Sequence, residues 1–166
     1  MQLELAIGVS AVVAVVAVVT LSAAPRAPVA AVDVAPDGSF ALTARLEATG
    51  RHRIWLRYDV EYGDRQDAWS LDGDVAVSLS GGPGWRDEIH LRAWGDATRQ
   101  RSRLGEGMRF HGADGWDAAH GRGHAEASVF LGAIHADSPG KQVTVDGVLA
   151  PAAGTRIRAA KLLITR

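Results

Sequence analysis

The chain has 166 residues, which is enough for one domain with its own hydrophobic core. Its 18 basic and 19 acidic residues give a formal net charge of −1, which argues against a dedicated nucleic-acid-binding protein and against an acidic tail. It contains no cysteine, so disulfide bonds are excluded.

The first feature along the chain is an apolar stretch from Leu5 to Ala24, mostly Val and Ala, with no charged side chain. At about 1.5 Å per residue, a helix of this length covers the ~30 Å hydrocarbon core of a bilayer. A cleaved signal peptide is the alternative, but it would carry a basic start and a shorter apolar run. The sequence has Glu4 there and no Lys or Arg. We therefore predict that residues 1–24 form a single-pass transmembrane helix.

Charges near this segment indicate an orientation. Arg26 follows it and Glu4 precedes it, which favours a cytoplasmic domain by the positive-inside rule. Ala6, Ser10 and Ala14 form a stripe of small residues that would permit weak helix–helix dimerisation in the bilayer. An Ala/Val-rich segment also produces such spacing by chance, so dimerisation stays an alternative.

Residues 25–38 are rich in Pro and Ala and predict an extended linker that ends in a turn at Asp37-Gly38. The predicted domain covers residues 39–166. Within it, apolar residues alternate with polar ones, most clearly from Arg53 to Tyr62, where Ile54 and every second residue after it are apolar. The other alternating segments are 40–47, 75–79, 85–94, 125–136, 143–149 and 157–164. The segment from Met108 to Gly123 shows no sustained period and is predicted to be irregular.

The strands number about seven to eight, lie roughly 10–15 residues apart, and are separated by Gly/Pro turns. No amphipathic helix is evident. The pattern predicts an all-β fold, an antiparallel β-sandwich of jelly-roll type behind one N-terminal transmembrane helix. A closed barrel is the alternative, because it also buries one face of each strand.

The segment 111–124 concentrates imidazole and carboxylate groups, which suit Zn²⁺ and similar ions. The candidate ligands of a metal-dependent hydrolase are His111, Asp114, Asp117, His120 and His124. Gly121 and Gly123 argue against a helix that would place two of the rings on one face. A flexible loop would also lose much entropy on binding a metal. A solvated polar loop is the simpler interpretation, and we expect no cofactor.

A second candidate site is the alternation of Arg99, Arg101 and Arg103, which would place three guanidinium groups on one face of an extended strand. Such a face could bind phosphate or a lipid headgroup. It could equally be an edge strand whose charges prevent aggregation.

Four of the five tryptophans form the third candidate. Trp69, Trp85 and Trp116 lie near predicted turns, and Trp55 occupies the polar face of its strand. Exposed rings could bind a glycan or a peptide, whereas buried rings would serve packing.

No G-x-S-x-G elbow or other catalytic signature is present, so we do not expect an enzyme. The sequence predicts a membrane-anchored β-sandwich that acts as a binding or scaffolding module. The lipid bilayer, contacted through Leu5–Ala24, is one partner, and a protein or a glycan is another. A metal-dependent hydrolase and a carbohydrate- or peptide-binding module are the alternatives.

Overall fold

Nine β-strands and no helix make up the described part of the computed structural model, which covers residues 28–63, 69–92 and 111–166. The strands are β1 (Ala30–Asp33), β2 (Ser39–Leu46), β3 (Gly50–Gly63), β4 (Ser70–Leu79), β5 (Trp85–Arg92), β6 (His111–Asp117), β7 (Arg122–Ala136), β8 (Lys141–Pro151) and β9 (Thr155–Thr165). The predicted anchor and Arg99, Arg101 and Arg103 lie outside the described residues. Within the described ranges, no helix is long and apolar enough to cross a membrane.

The strands form two antiparallel sheets. The five-stranded sheet has the order β1-β9-β3-β7-β6, and the four-stranded sheet has the order β2-β8-β4-β5. Pairing is nested along the chain, since β1 pairs with β9, β2 with β8 and β3 with β7. The all-β, sandwich-like prediction is confirmed, with nine strands instead of seven or eight.

Alternation along the strands explains the core. On β3, Ile54, Leu56, Tyr58, Val60 and Tyr62 are all buried, while the residues between them face outward. They join apolar side chains from both sheets in one core cluster. Full burial of a Leu, Ile or Val contributes about 1.5–3 kcal/mol, so this core is the main source of stability.

Two strands lie where the sequence indicated none. β1 falls inside the segment 25–38 that was predicted to be a linker, and it pairs with β9 from Ala30–Ile164 to Asp33–Lys161. It is a short strand at the edge of the sheet, flanked by Pro28 and Pro36. Proline has no backbone N–H, and at these flanking positions no hydrogen bond between strands is lost. β6 falls inside the segment predicted to be irregular, and it pairs with the first half of β7. Its sequence contains two glycines and shows no sustained period, so alternation could not reveal it.

The alternation predicted for β7 is wrong beyond Leu131. The register passes from Trp55–Phe130 to Ile54–Gly132, so Leu131 is the extra residue of a β-bulge. A bulge reverses which residues face the core. Ile134 is therefore buried in the core cluster, whereas the sequence placed it on the face of Phe130.

Candidate binding face of the five-stranded sheet

The outer face of the five-stranded sheet carries one row of apolar residues that crosses four strands. Trp55 on β3 pairs with Phe130 on β7 and with Leu163 on β9, and Leu163 pairs with Ala31 on β1. Directly paired residues of adjacent strands lie on the same face of a sheet. We call these four residues the aromatic row.

Trp55 is held firmly within this row. Its ring meets Phe130 edge to face, with centroids 5.4 Å apart and an angle of 63° between the planes. Its Nε1 donates a hydrogen bond to Thr165 Oγ1 at 3.2 Å. Such an aromatic pair contributes about 0.5–1.5 kcal/mol beyond the area that it buries. Trp55 nevertheless stays half-buried, so part of a fixed indole ring is accessible to a partner.

Phe130 and Leu163 were not recognised as site residues in the sequence. Phe130 is only 6% exposed, yet it is not a member of the core cluster between the sheets. The available signals were apolar residues at positions that should be polar, such as Leu163 between Leu162 and Ile164. Only the strand register shows that these residues stand beside Trp55.

Basic side chains border the row on β3, where Arg53 and Arg57 lie two positions before and after Trp55. Arg57 Nη2 donates to Glu126 Oε1 at 2.5 Å, and this hydrogen bond holds the pKa of Glu126 below its ordinary value. The pair is exposed on both sides and contributes no more than about 1 kcal/mol. Arg53 makes no ion pair with any other described residue. Beside the aromatic row, the face therefore presents the Arg53 guanidinium, which has no ion-pair partner among the described residues, and this combination suits a ligand with an apolar or sugar surface and an acidic group.

The other tryptophans of the hypothesis are used in packing. Trp69 is 1% exposed and lies against Tyr58, with ring centroids 5.6 Å apart. Trp116 is half-buried and stacks on the Tyr62 ring at 5.9 Å. Trp85 is also half-buried, and its Nε1 donates to the carbonyl oxygen of Ala133 at 3.3 Å. Of these four tryptophans, Trp55 is the one on the solvent face of a sheet.

The His/Asp-rich segment forms the β6–β7 hairpin. His120 Nδ1 and Asp117 Oδ2 are 2.6 Å apart, and this hydrogen bond lowers the pKa of the Asp117 carboxyl. His124 Nε2 instead contacts Asp59 Oδ1 on β3 at 2.7 Å.

The described members of this set are engaged separately, His120 with Asp117 and His124 with Asp59. The position of His111 pairs with Ser128 and that of Asp114 with Ala125, so the two positions lie on opposite faces of the sheet. Their side chains are outside the described part of the molecule. Among the side chains that are described, no group of three or more His, Asp or Glu is arranged to hold a metal ion.

A polar cluster that the sequence did not reveal lies on the four-stranded sheet. His90 Nδ1 donates to Asp72 Oδ1 at 2.9 Å, and His90 Nε2 lies 3.1 Å from Glu88 Oε2. Arg92 Nη1 lies 2.7 Å from Asp72 Oδ1. These contacts lower the pKa of Asp72, through Arg92 first and then His90, and raise the pKa of His90, through Asp72 first and then Glu88.

Both ring nitrogens of His90 are thus engaged by carboxylates, which leaves neither of them open to take a proton from a substrate. The residues meet because β4 and β5 form a hairpin in which Asp72 pairs with His90. Sequence spacing alone gave no sign of this.

Comparisons with protein-family models, with curated proteins and with solved structures found no match to this chain.

Proposed function

We propose that this chain is a single-pass membrane protein whose β-sandwich acts as a non-enzymatic binding module at the membrane surface. The observation that carries the proposal is the aromatic row, which presents a fixed and partly accessible Trp55 on a sheet face bordered by Arg53.

The anchor is supported by the apolar stretch Leu5–Ala24 and by the position of β1. Only residues 25–29 separate that stretch from Ala30, the first residue of the sheet. In a membrane-embedded chain, this connection would hold the sandwich against the bilayer. Arg26 favours the cytoplasmic side for the domain.

The finer architecture is proposed to be a jelly roll. Its support is the nested pairing of β1 with β9, β2 with β8, and β3 with β7, which is how a long antiparallel hairpin rolls into two facing sheets. In this view β4 and β5 close the hairpin, and β6 is an added edge strand.

The binding partner is proposed to be a protein or a glycan that lies across the outer face of the five-stranded sheet. An indole ring held at one edge by Phe130 offers its remaining surface to a sugar ring or an apolar side chain. The Arg53 guanidinium beside it would bind a carboxylate or sulfate of the same ligand. No metal or catalytic base is required.

Titration of the full-length protein with a panel of soluble glycans and acidic peptides tests the binding function. A ligand of the row should quench or blue-shift the tryptophan fluorescence, and Trp55→Ala should weaken its binding about tenfold or more, as expected for a truncated aromatic anchor. Val148→Ala, at an exposed residue of the other sheet, should leave binding unchanged. A flat response across the panel, or an unchanged affinity of Trp55→Ala, would refute a role for the row.

Carbonate extraction and protease accessibility test the anchor and its orientation. A retained anchor keeps the chain in the membrane fraction at alkaline pH. Protection of residues 39–166 from protease outside the cell supports a cytoplasmic domain, and cleavage reverses that orientation.

A further inference from the structure

β2 forms one edge of the four-stranded sheet. It pairs with β8 on one side, and the described part of the sheet has no strand on its other side. The pairing with β8 extends over the whole strand, from Ser39–Val148 to Leu46–Lys141, without a register shift. An edge strand of this kind carries a row of backbone N–H and C=O groups that can pair with another strand.

Hydrogen bonds at both ends of β2 show which residues face the edge. Gly38 accepts a hydrogen bond from the Leu149 N–H, and Leu46 accepts one from the Gly140 N–H, so the even-numbered residues bond towards β8. Successive residues of an antiparallel strand bond to opposite sides. The backbone groups that point away from β8 belong to Ala41, Thr43 and Arg45. We call residues 41–45 the β2 edge.

The edge is closed at Ser39. The carbonyl oxygen of Ser39 accepts a hydrogen bond from the Ala35 N–H at 2.8 Å, and its N–H donates to Asp37 Oδ1 at 2.9 Å. The turn between β1 and β2 therefore satisfies both backbone groups of Ser39. Among the described residues, none bonds to the outward backbone groups of the β2 edge. A partner strand would pair at the β2 edge and not at Ser39.

The other edge strands of the two described sheets carry features that oppose pairing. β1 has only four residues, and prolines flank it. β5 places Asp87 on the core side, between Trp85 and Ile89, and its outward residues are all ionisable. Short length and inward charges discourage edge pairing. β6 contains two glycines, which weaken a strand. β2 lacks these features, since residues 39–44 contain no charge, proline or glycine.

The β2 edge is complementary to itself in one antiparallel register. With Thr43 opposite Thr43 of a second copy, Ala41 lies opposite Arg45, and every outward position is used. This register exchanges about six backbone hydrogen bonds, two for each directly opposed pair. On the core face it sets Leu42 opposite Ala44, so apolar side chains meet. The two Arg45 side chains lie about 14 Å apart along the strands, so like charges do not meet.

Other symmetric registers fit less well. A register centred on Ala41 would use Ser39, whose backbone groups are already bonded. A register centred on Arg45 would set two guanidinium groups directly opposite each other, which is destabilising. The register centred on Thr43 avoids both problems.

We propose that the β2 edges of two copies pair in this register and form a symmetric dimer. Each four-stranded sheet then continues into the sheet of the other copy. Because the two-fold axis runs perpendicular to the sheet, both five-stranded sheets lie in one layer and both aromatic rows face the same side. Such a dimer would present two equivalent surfaces to one partner, which raises avidity. Assembly ends at the dimer, because the two-fold pairing uses the same edge of both copies.

Disulfide cross-linking of the full-length protein in mild detergent tests this contact, because the chain has no native cysteine. Directly opposed residues of hydrogen-bonded strands have Cα atoms about 5.5 Å apart, within the range that a disulfide bridges. Thr43→Cys should therefore form a covalent dimer on mild oxidation. Ser78→Cys is the matched control, since Ser78 is exposed in the same row of the same face. Its two copies would lie about 24 Å apart and should not cross-link.

A mixture of two single-cysteine variants tests the register. Differently tagged Ala41→Cys and Arg45→Cys chains should cross-link to each other. Neither variant should cross-link to itself, because equivalent positions lie about 14 Å apart in the proposed register.

A lysine on the edge tests whether this contact drives association. Thr43→Lys sets two like charges opposite each other and should weaken association about tenfold or more in sedimentation equilibrium. Ser78→Lys makes the same change in net charge and should leave association unchanged. Both side chains are exposed, and circular dichroism checks that both variants are folded.

Failure of Thr43→Cys to cross-link, or equal cross-linking of Ser78→Cys, would overturn the dimer. Association of Thr43→Lys as tight as that of the unmodified chain would also overturn it, because the contact would then lie elsewhere, such as in the apolar stretch Leu5–Ala24. Trp55→Ala should leave cross-linking at position 43 unchanged, so this result is independent of ligand binding by the aromatic row.

Discussion

Replacing Gly123 with alanine should distort the β6–β7 hairpin and lower the stability of the whole sandwich. Gly123 pairs with Tyr62 on β3 and with Trp116 on β6. The Tyr62 ring lies over the glycine, and an added Cβ would be 2.5 Å from the phenolic oxygen and would overlap the ring carbons. Tyr62 is only 2% exposed, so its ring has no solvent space into which it can move freely.

The cost follows from these contacts. The Tyr62 ring must shift by more than an ångström, which over-packs the surrounding core at a typical cost of about 1–3 kcal/mol. The shift also disturbs the stacking on Trp116, which has an interplanar angle of 25° and is worth about 0.5–1.5 kcal/mol. Alanine also reduces the conformational entropy of the unfolded chain, which stabilises the variant by about 0.4–1 kcal/mol. We expect a net loss of about 1–3 kcal/mol.

Gly115→Ala is the matched control in the same hairpin, because a Cβ there would meet no described atom within 4 Å. It should be neutral or slightly stabilising. The assay is guanidinium unfolding of the detergent-solubilised full-length protein, followed by tryptophan fluorescence and circular dichroism. Equal guanidinium midpoints of unfolding for the two variants would refute the packing of Tyr62 over Gly123 and the register of β6.

The remaining predictions address other parts of the sandwich. Because the pKa of His90 is raised in the folded state, its contribution is complete below pH ~6.5 and is lost as the pH rises through that raised value. His90→Gln should therefore lower the melting temperature more at pH 5.5 than at pH 8.5. The corresponding loss of unfolding free energy should be less than about 1 kcal/mol, because the ring is half-exposed. Leu56→Ala, in the centre of β3, should cost about 2–5 kcal/mol in a denaturant titration, whereas Val148→Ala should change stability by less than about 0.5 kcal/mol. Arg57→Ala should cost at most about 1 kcal/mol at low salt, and a larger loss would mean that its pair with Glu126 is less exposed than described.

Much of the fold could be predicted because burial on one face of a strand imposes a period of two. The alternation from Ile54 to Tyr62 is visible in the sequence and is reproduced residue by residue in the core. Alternation fails as a guide where a strand is short, glycine-rich or bulged. β1 has four residues, β6 contains Gly112 and Gly115, and β7 changes phase at Leu131.

The candidate site was predictable only in part. Trp55 stood out as an apolar residue on a polar face. Its neighbours Phe130 and Leu163 come from strands far away in the sequence, and the pairing register that brings them together depends on a bulge. The same holds for His90 and Asp72, which meet across a hairpin. A sequence pattern carries no information on register when both strands alternate equally well.

The amino-acid sequence by itself determined the all-β class, the buried faces of the strands that alternate without a bulge, and an apolar N-terminal stretch of membrane-spanning length. These follow from local periodicity and from hydrophobic length, which each segment expresses independently. Only the tertiary structure decided that residues 30–33 belong to the sheet and that three of the tryptophans serve packing. Those features depend on which distant strands pair and in which register, and pairing is a property of the whole chain because every strand needs a partner for its backbone hydrogen bonds.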